Sequence, residues 1–124
     1  MDPERVHTEP EEVRVKIVVN SKGKIERSGK AHHEVVVHPG WRVVWTCDTA
    51  DFRISAIHKV RDCCECIDSP FEKFSDARFA AGDSNRSGPV VKGAVGHVYK
   101  AVWEVFKKGG ERTDRWDPHI YVGP

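Results

Sequence analysis

The chain has 124 residues, of which 39% are hydrophobic and 31% are charged, and its 20 basic residues nearly balance 19 acidic ones. These values are typical of one soluble domain. No apolar run reaches the roughly 18 residues that a membrane-spanning helix needs. No charged-then-apolar leader opens the chain either, so the sequence predicts a cytoplasmic protein without a membrane span.

Residues 1–12 differ in composition from the rest of the chain. They contain five acidic residues against Arg5 alone, together with two prolines, and such a segment is typical of a flexible tail. Residues 13–124 are then the predicted single domain, with 19 basic and 14 acidic residues once the tail is removed. This excess is far weaker than the basic composition of nucleic-acid-binding domains, so nucleic acid is not the expected partner.

Apolar and polar residues alternate along much of the predicted domain, as expected for strands that bury one face. The first run covers residues 13–19 and ends at the turn-forming sequence 20–23. Two further runs, at 34–38 and 41–46, flank a Pro-Gly turn at 39–40. Because this dipeptide favours a tight turn, the two runs are predicted to form a hairpin.

The clearest strand pattern lies at residues 97–106, where apolar residues occupy both faces. A strand with two apolar faces is typical of the centre of a sheet. Shorter strands are predicted from Phe52 onward and at 119–122, and residues 82–89 are dense in turn-forming residues.

Helical periodicity is absent from every segment of about 10 residues or more. A short helical or loop insertion is predicted around residues 61–81, with 71–81 as the best helix candidate. The seven or eight short strands separated by turns predict an all-β fold, a Greek-key β-sandwich or barrel. The roughly 110 residues of the domain are enough for one such core.

The order of these patterns resembles the cupredoxin family, whose fold is that of the blue-copper proteins. The resemblance covers residues 13–122, nearly the whole predicted domain. It lies in Trp41-Arg-Val-Val-Trp45 after the Pro-Gly turn, Phe52-Arg-Ile54, the Gly-x-Val-Tyr-Lys-x-Val-x-x-Val run at 96–105 and Asp117-Pro-His-Ile-Tyr-Val122.

The residues that hold copper in this family are absent here. In copper-carrying cupredoxins one His opens the strand after the tryptophan strand, and a Cys, a second His and usually a Met lie at the loop between the last two strands. The first position falls near Asp51 and Phe52, the Cys position falls near Trp103, and residues 107–116 contain no His, Cys or Met. The resemblance therefore implies a domain without a type 1 copper site, and the family's electron transfer does not carry over.

A cysteine cluster is the strongest candidate for a metal site. Cys63 and Cys66 have the C-x-x-C spacing at which two thiolates can hold one zinc or copper ion, and Cys64 lies between them. A complete site would need further ligands, for which Cys47 and His58 are the candidates. Disulfide exchange by a low-pKa thiol is a second interpretation, and a reduced loop without a task is a third.

Trp116 lies in a polar segment together with Arg112 and Arg115. Trp and Arg side chains dominate protein interfaces, so these three residues are a candidate surface for a partner. Two alternatives stay open: Trp116 as a lid on the end of the sandwich, and a charge cluster in which Asp114 and Asp117 neutralise the arginines.

The chain contains no Gly-rich phosphate loop, no nucleophile elbow and no His-Glu-x-x-His zinc motif. The predicted function is therefore that of a non-catalytic, copper-free, cupredoxin-like binding or accessory module that needs no cofactor. Its expected partner is a protein, a second copy of the chain included. The alternative is a metal-binding or redox protein that uses Cys63, Cys64 and Cys66, and a small enzyme whose site is not visible in the sequence is the third hypothesis.

Overall fold

The computed structural model describes residues 11–27, 34–60 and 68–124, which fold into two β-sheets. The all-β prediction is confirmed, because the described residues are strands and loops apart from one short 3-10 helix at Lys92–Ala94. The strands are β1 (Glu12–Lys16), β2 (Val35–Val37), β3 (Arg42–Thr46), β4 (Asp51–Lys59), β5 (Arg78–Phe79), β6 (Ser84–Arg86), β7 (Val98–Phe106), β8 (Arg112–Trp116) and β9 (His119–Val122).

Both sheets mix parallel and antiparallel pairs. The first sheet has the order β1-β3-β6, in which β1 runs parallel to β3 and β6 runs antiparallel to it. The second has the order β2-β9-β7-β4-β5, with β2 parallel to β9, and β8 pairs with β7 beyond the end of β9. Strand β7 is therefore paired on both edges, which confirms its prediction as a central strand.

The predicted hairpin across the Pro-Gly turn is wrong. The turn itself forms, since the Trp41 amide donates to the His38 carbonyl over 3.0 Å and Gly40 has a φ of 88°. The strands on its two sides nevertheless pair with different partners, β2 with β9 and β3 with β1 and β6. The turn thus carries the chain from one sheet to the other, which alternation within each strand does not reveal.

The core lies between the two sheets and is built from the inward faces of both. Trp45 of the first sheet and Phe52 and Tyr99 of the second are at most 1% exposed. A β-bulge between Ile54 and Ala56 shifts the phase of β4. As a result Ile57 is buried, whereas alternation from Phe52 places Ala56 on the inner face.

The segment predicted as a helical or loop insertion at 61–81 is described only from residue 68 onward. Its described part contains the two-residue strand β5 and no helix, so the helix candidate at 71–81 is wrong. Phe71 is buried and stacks edge-on against Trp45, with ring centroids 5.9 Å apart. Burial of this ring and an antiparallel β-bridge between Phe71 and Val90 therefore fix the chain here, rather than helical hydrogen bonding.

Candidate functional site: a basic groove at the Asp51 end of the sandwich

Asp51 joins three loops at one end of the sandwich. It begins β4 and lies opposite Phe106, the last residue of β7. Its carboxylate accepts hydrogen bonds from the Gly109 amide at 2.9 Å, the Ala81 amide at 3.2 Å and the Arg78 guanidinium at 2.9 Å. We call this part of the molecule the Asp51 end.

The electrostatics of this cluster favour a charged carboxylate. The Gly109 amide, followed by Arg78 and the Ala81 amide, stabilises the ionised form and holds the pKa of Asp51 below its ordinary value, although burial acts in the opposite direction. Asp51 is 9% exposed as a whole residue. The carboxylate is therefore a fixed acceptor that these donors satisfy.

Arg78 connects the Asp51 cluster to the end of β7. Besides Asp51 it donates to the Lys107 carbonyl over 3.0 Å, and its guanidinium lies 4.0 Å from the centre of the Phe106 ring. A guanidinium at this distance from an aromatic face gains cation–π attraction. Arg78 therefore fixes both residues at the end of β7.

A groove with a volume of about 530 Å³ opens at the Asp51 end. We call it the basic groove, because its lining includes two lysines and no acidic residue. Its size falls within the range of pockets for small molecules. The lining residues are Val19, Asn20, Ser21, Lys22, Gly23, Thr49, Ala50, Phe106, Lys107 and Thr113.

The wall formed by residues 19–23 is held by a local hydrogen-bond network. The Asn20 side-chain oxygen accepts from the amides of Lys22 and Lys24, over 2.9 and 3.0 Å. Gly23 has a φ of 78°, and a Cβ there would lie 2.9 Å from the Thr113 side chain. Only glycine suits this close approach to β8.

Asp114 fastens the same wall to β8. Its carboxylate accepts the Ile25 amide at 2.9 Å and the Arg27 guanidinium at 3.0 Å. Ile25 in turn forms a β-bridge with Val19, a lining residue of the groove. Loss of this carboxylate would therefore loosen the wall.

The sequence does not predict the groove. It predicts residues 20–23 only as the turn that ends the first strand, and Lys107 only as part of a loop without copper ligands. The one available signal was the pairing of an Asn-Ser-Lys-Gly turn with a Lys-Lys-Gly-Gly turn in an otherwise balanced chain. Neither turn indicates by itself that the two meet.

The two positions that the cupredoxin resemblance assigns to copper ligands hold residues with other contacts. Asp51 is engaged as described above. Trp103 is 3% exposed and packs edge-on against Trp116 with ring centroids 5.7 Å apart. Its indole Nε1 is buried without a hydrogen-bond partner in the described part of the chain. Trp103 is thus a core residue, as its strand pattern predicts.

Of the five candidate metal ligands, the structure describes Cys47 and His58. Cys63, Cys64 and Cys66 lie outside the described residues. Cys47 is a fully buried free thiol beside the Asp51 end, where its carbonyl accepts the Gly82 amide.

His58 lies near the far end of β4. At about 3.3 Å of rise per residue it is roughly 23 Å from Asp51, so Cys47 and His58 cannot share one ion. Within residues 11–27, 34–60 and 68–124, no group of three or more His, Cys, Asp or Glu side chains is placed to hold a metal.

The predicted partner surface on β8 is largely engaged within the chain. Arg112 forms a 2.7 Å ion pair with Glu104, and the Arg27 guanidinium lies 5.5 Å from the centre of the Trp116 ring. Trp116 is half-buried against the core, whereas Arg115 is exposed. Arg112 thus pairs with Glu104 rather than with Asp114 or Asp117, whose ion pairs are with Arg27 and Lys100.

Comparison of the chain with protein family models, with curated proteins and with solved structures finds no significant match. The molecule is therefore described by its fold class, an all-β sandwich with a groove at one end. No helix in the described ranges is long and apolar enough to cross a membrane.

Proposed function

We propose that this chain is a copper-free, cupredoxin-like binding module that recognises its ligand at the Asp51 end. The observation that carries the proposal is the basic groove, which is formed by loops from both sheets and held in place by the contacts of Asp51 and Asp114. Binding sites on β-sandwiches are commonly built from loops on a rigid scaffold. The fold itself does not imply a function, so the groove is the basis of the proposal.

The path of the chain supports the cupredoxin-like assignment. Strands β1, β3 and β6 belong to the first sheet and the strands between them to the second, so the chain crosses repeatedly between the layers. Such crossings are typical of Greek-key sandwiches.

The contacts of Asp51 support a copper-free end. The Arg78 guanidinium lies 2.9 Å from the carboxylate that stands near the first ligand position of the family. A bound copper ion would bring a second positive charge close to this guanidinium, and the Cys position near Trp103 offers no thiolate. An ion pair that fixes the loops is the simpler role for this end.

The absence of copper is tested on protein purified without added metal or chelator. We expect no stoichiometric zinc or copper by elemental analysis, four titratable thiols after denaturation, and none of the intense blue absorption of a type 1 centre when Cu²⁺ is added. Stoichiometric metal that disappears in the Cys63→Ser, Cys64→Ser, Cys66→Ser triple variant would overturn the proposal in favour of a cysteine metal centre.

The place of binding is tested by NMR with ¹⁵N-labelled protein. Acidic peptides, basic peptides, nucleotides and small carboxylates are titrated in turn, and backbone amide shifts are mapped onto the structure. We expect the shifts to concentrate at groove residues such as Gly23, Thr49 and Thr113. Shifts that cluster at the opposite end, around Trp41, would refute recognition at the Asp51 end.

A further inference from the structure

The positive charge of the basic groove indicates that its ligand is negatively charged. Lys22 and Lys107 line it, and neither forms an ion pair with any residue in the described ranges. Of the neighbouring carboxylates, Asp48 pairs with Lys16 at 2.8 Å and Asp51 is held by Arg78. Glu111 lies in the same turn as Lys107 but does not line the groove. Two lysines without a counter-ion in one concave site favour an anion.

The groove also offers a binding surface that a simple inorganic ion would not use. Val19, Ala50 and Phe106 contribute apolar lining beside the lysines. Apolar contact with such a surface favours a ligand that has a hydrocarbon or aromatic body, because burial of that body removes apolar area from water. A phosphate ion would reach the lysines but leave this surface exposed.

The polar groups that line the groove can orient a ligand through hydrogen bonds. Ser21 and Thr49, which both carry hydroxyls, line the groove, whereas the Thr113 hydroxyl already donates to the Gly23 carbonyl over 2.8 Å. A hydroxyl donates readily to a carboxylate oxygen, and charge-assisted hydrogen bonds are the stronger kind.

Both walls are fixed before any ligand arrives. The Asn20 side chain and Gly23 shape one wall, and Lys24 ties it to β8 through a 3.1 Å hydrogen bond to the Thr113 carbonyl. The opposite wall is held by Arg78 through the Lys107 carbonyl. A preformed site loses less entropy on binding, so even a small ligand can be retained.

We propose that the basic groove binds a small organic carboxylate with an apolar body. Lys22 and Lys107 attract the carboxylate, and Val19, Ala50 and Phe106 contact the body. This inference rests on the proposed binding function and names the ligand class for the same site.

The test uses phenylacetate as the probe and follows backbone amide shifts by NMR. Its controls are 2-phenylethanol, which keeps the ring without the charge, and inorganic phosphate, which keeps the charge without the ring. We expect phenylacetate to shift the amides of Gly23, Thr49 and Thr113 with a dissociation constant on the order of a few millimolar, as its size allows. Both controls are expected to bind several-fold more weakly.

Lysine variants separate a specific site from general attraction. Lys22→Gln and Lys107→Gln should each weaken phenylacetate binding roughly 3- to 5-fold, the effect of one exposed ion pair. Lys92→Gln is the matched control, since Lys92 is an exposed lysine in the 3-10 helix and does not line the groove. Thermal melting of all three variants checks that they remain folded.

Several results would overturn the inference. Equal binding of phenylacetate and 2-phenylethanol, or equal affinity in Lys22→Gln, Lys107→Gln and Lys92→Gln, would contradict a carboxylate site. Groove shifts from an acidic peptide without any from phenylacetate would indicate an acidic protein partner instead. In that case the ligand class fails while the proposed function survives, whereas ligand shifts that cluster at the opposite end, around Trp41, would refute the proposed function itself.

Discussion

Replacement of Asp51 by Ala should destabilise the protein strongly, although the residue lies at the end of the sandwich. The change removes the acceptor for the Gly109 amide, the Ala81 amide and the Arg78 guanidinium. Hydrogen bonds to charged groups contribute about 1.5–3 kcal/mol each, but water replaces part of this where the donor is exposed. Gly109 is exposed and the Arg78 side chain is 36% exposed. We therefore expect each of the three hydrogen bonds to contribute about 1 kcal/mol, so that their loss costs about 3 kcal/mol in total.

The assay is urea denaturation followed by Trp fluorescence, with Asp48→Asn as the matched control. Asp48 also forms an ion pair, with Lys16, but the two side chains are 60% and 63% exposed. Exposed pairs contribute at most about 1 kcal/mol, so the control should change stability little. If Asp51→Ala unfolds at the same urea concentration as Asp48→Asn, the proposed role of Asp51 in joining three loops is wrong.

The pH dependence of the stability of Asp51→Ala gives a second test of the role of Asp51. The pKa of Asp51 is lower in the folded protein than in the unfolded chain, so its stabilising effect is fully present above the unfolded value of about 3.9. As the pH falls through the folded pKa, protonation removes the effect. The difference in unfolding free energy between wild type and Asp51→Ala should therefore be constant near neutral pH and shrink in acid. A difference that stays the same at every pH would contradict this account.

Three further predictions concern the core and the walls of the groove. Trp103→Ala should lower the free energy of unfolding in urea by about 3–5 kcal/mol. Trp103→Phe should lower it clearly less, because the lost Nε1–H has no partner in the described residues. Equal losses in the two variants would contradict this view of the indole. Asp114→Asn should speed hydrogen exchange at the Ile25 amide, to which Asp114 is bonded, and unchanged exchange would show that the wall does not depend on it. Gly23→Ala should lower the melting temperature and weaken phenylacetate binding, since its φ is positive and a Cβ would meet Thr113; an unaltered protein would refute the close approach.

The sequence predicts the fold class and the central strand because buried strand positions are occupied by apolar residues. Strand β7 has apolar residues on both faces: Tyr99, Ala101, Trp103 and Val105 are buried on one face, and Val102 is buried on the other. Strands β6 and β8 escape such prediction, since Ser-Asn-Arg and Arg-Thr-Asp-Arg-Trp are polar sequences. Backbone pairing with β3 and β7, rather than side-chain hydrophobicity, makes them strands.

The candidate site is harder to predict than the fold. Its walls come from residues 19–23, 49–50, 106–107 and 113, which only the folded chain brings together. Each of its lysines looks like an ordinary surface lysine in a turn. The hairpin error has the same origin, because alternation tells which face of a strand is buried but not which strand lies beside it.

The parallel pairing of β2 with β9 also has a consequence for how the molecule assembles. Val35 pairs with Ile120, and the Gly123 amide closes the pair on the Val37 carbonyl over 2.8 Å. Strand β2 therefore has no neighbour in its own sheet until synthesis has reached β9. Contacts between residues so distant in sequence slow folding, because the loop between them must be closed first. During synthesis both edges of β2 are unpaired, and β9 then covers one of them. In the order β2-β9-β7-β4-β5 the other edge of β2 remains the edge of the described sheet, where another strand can pair.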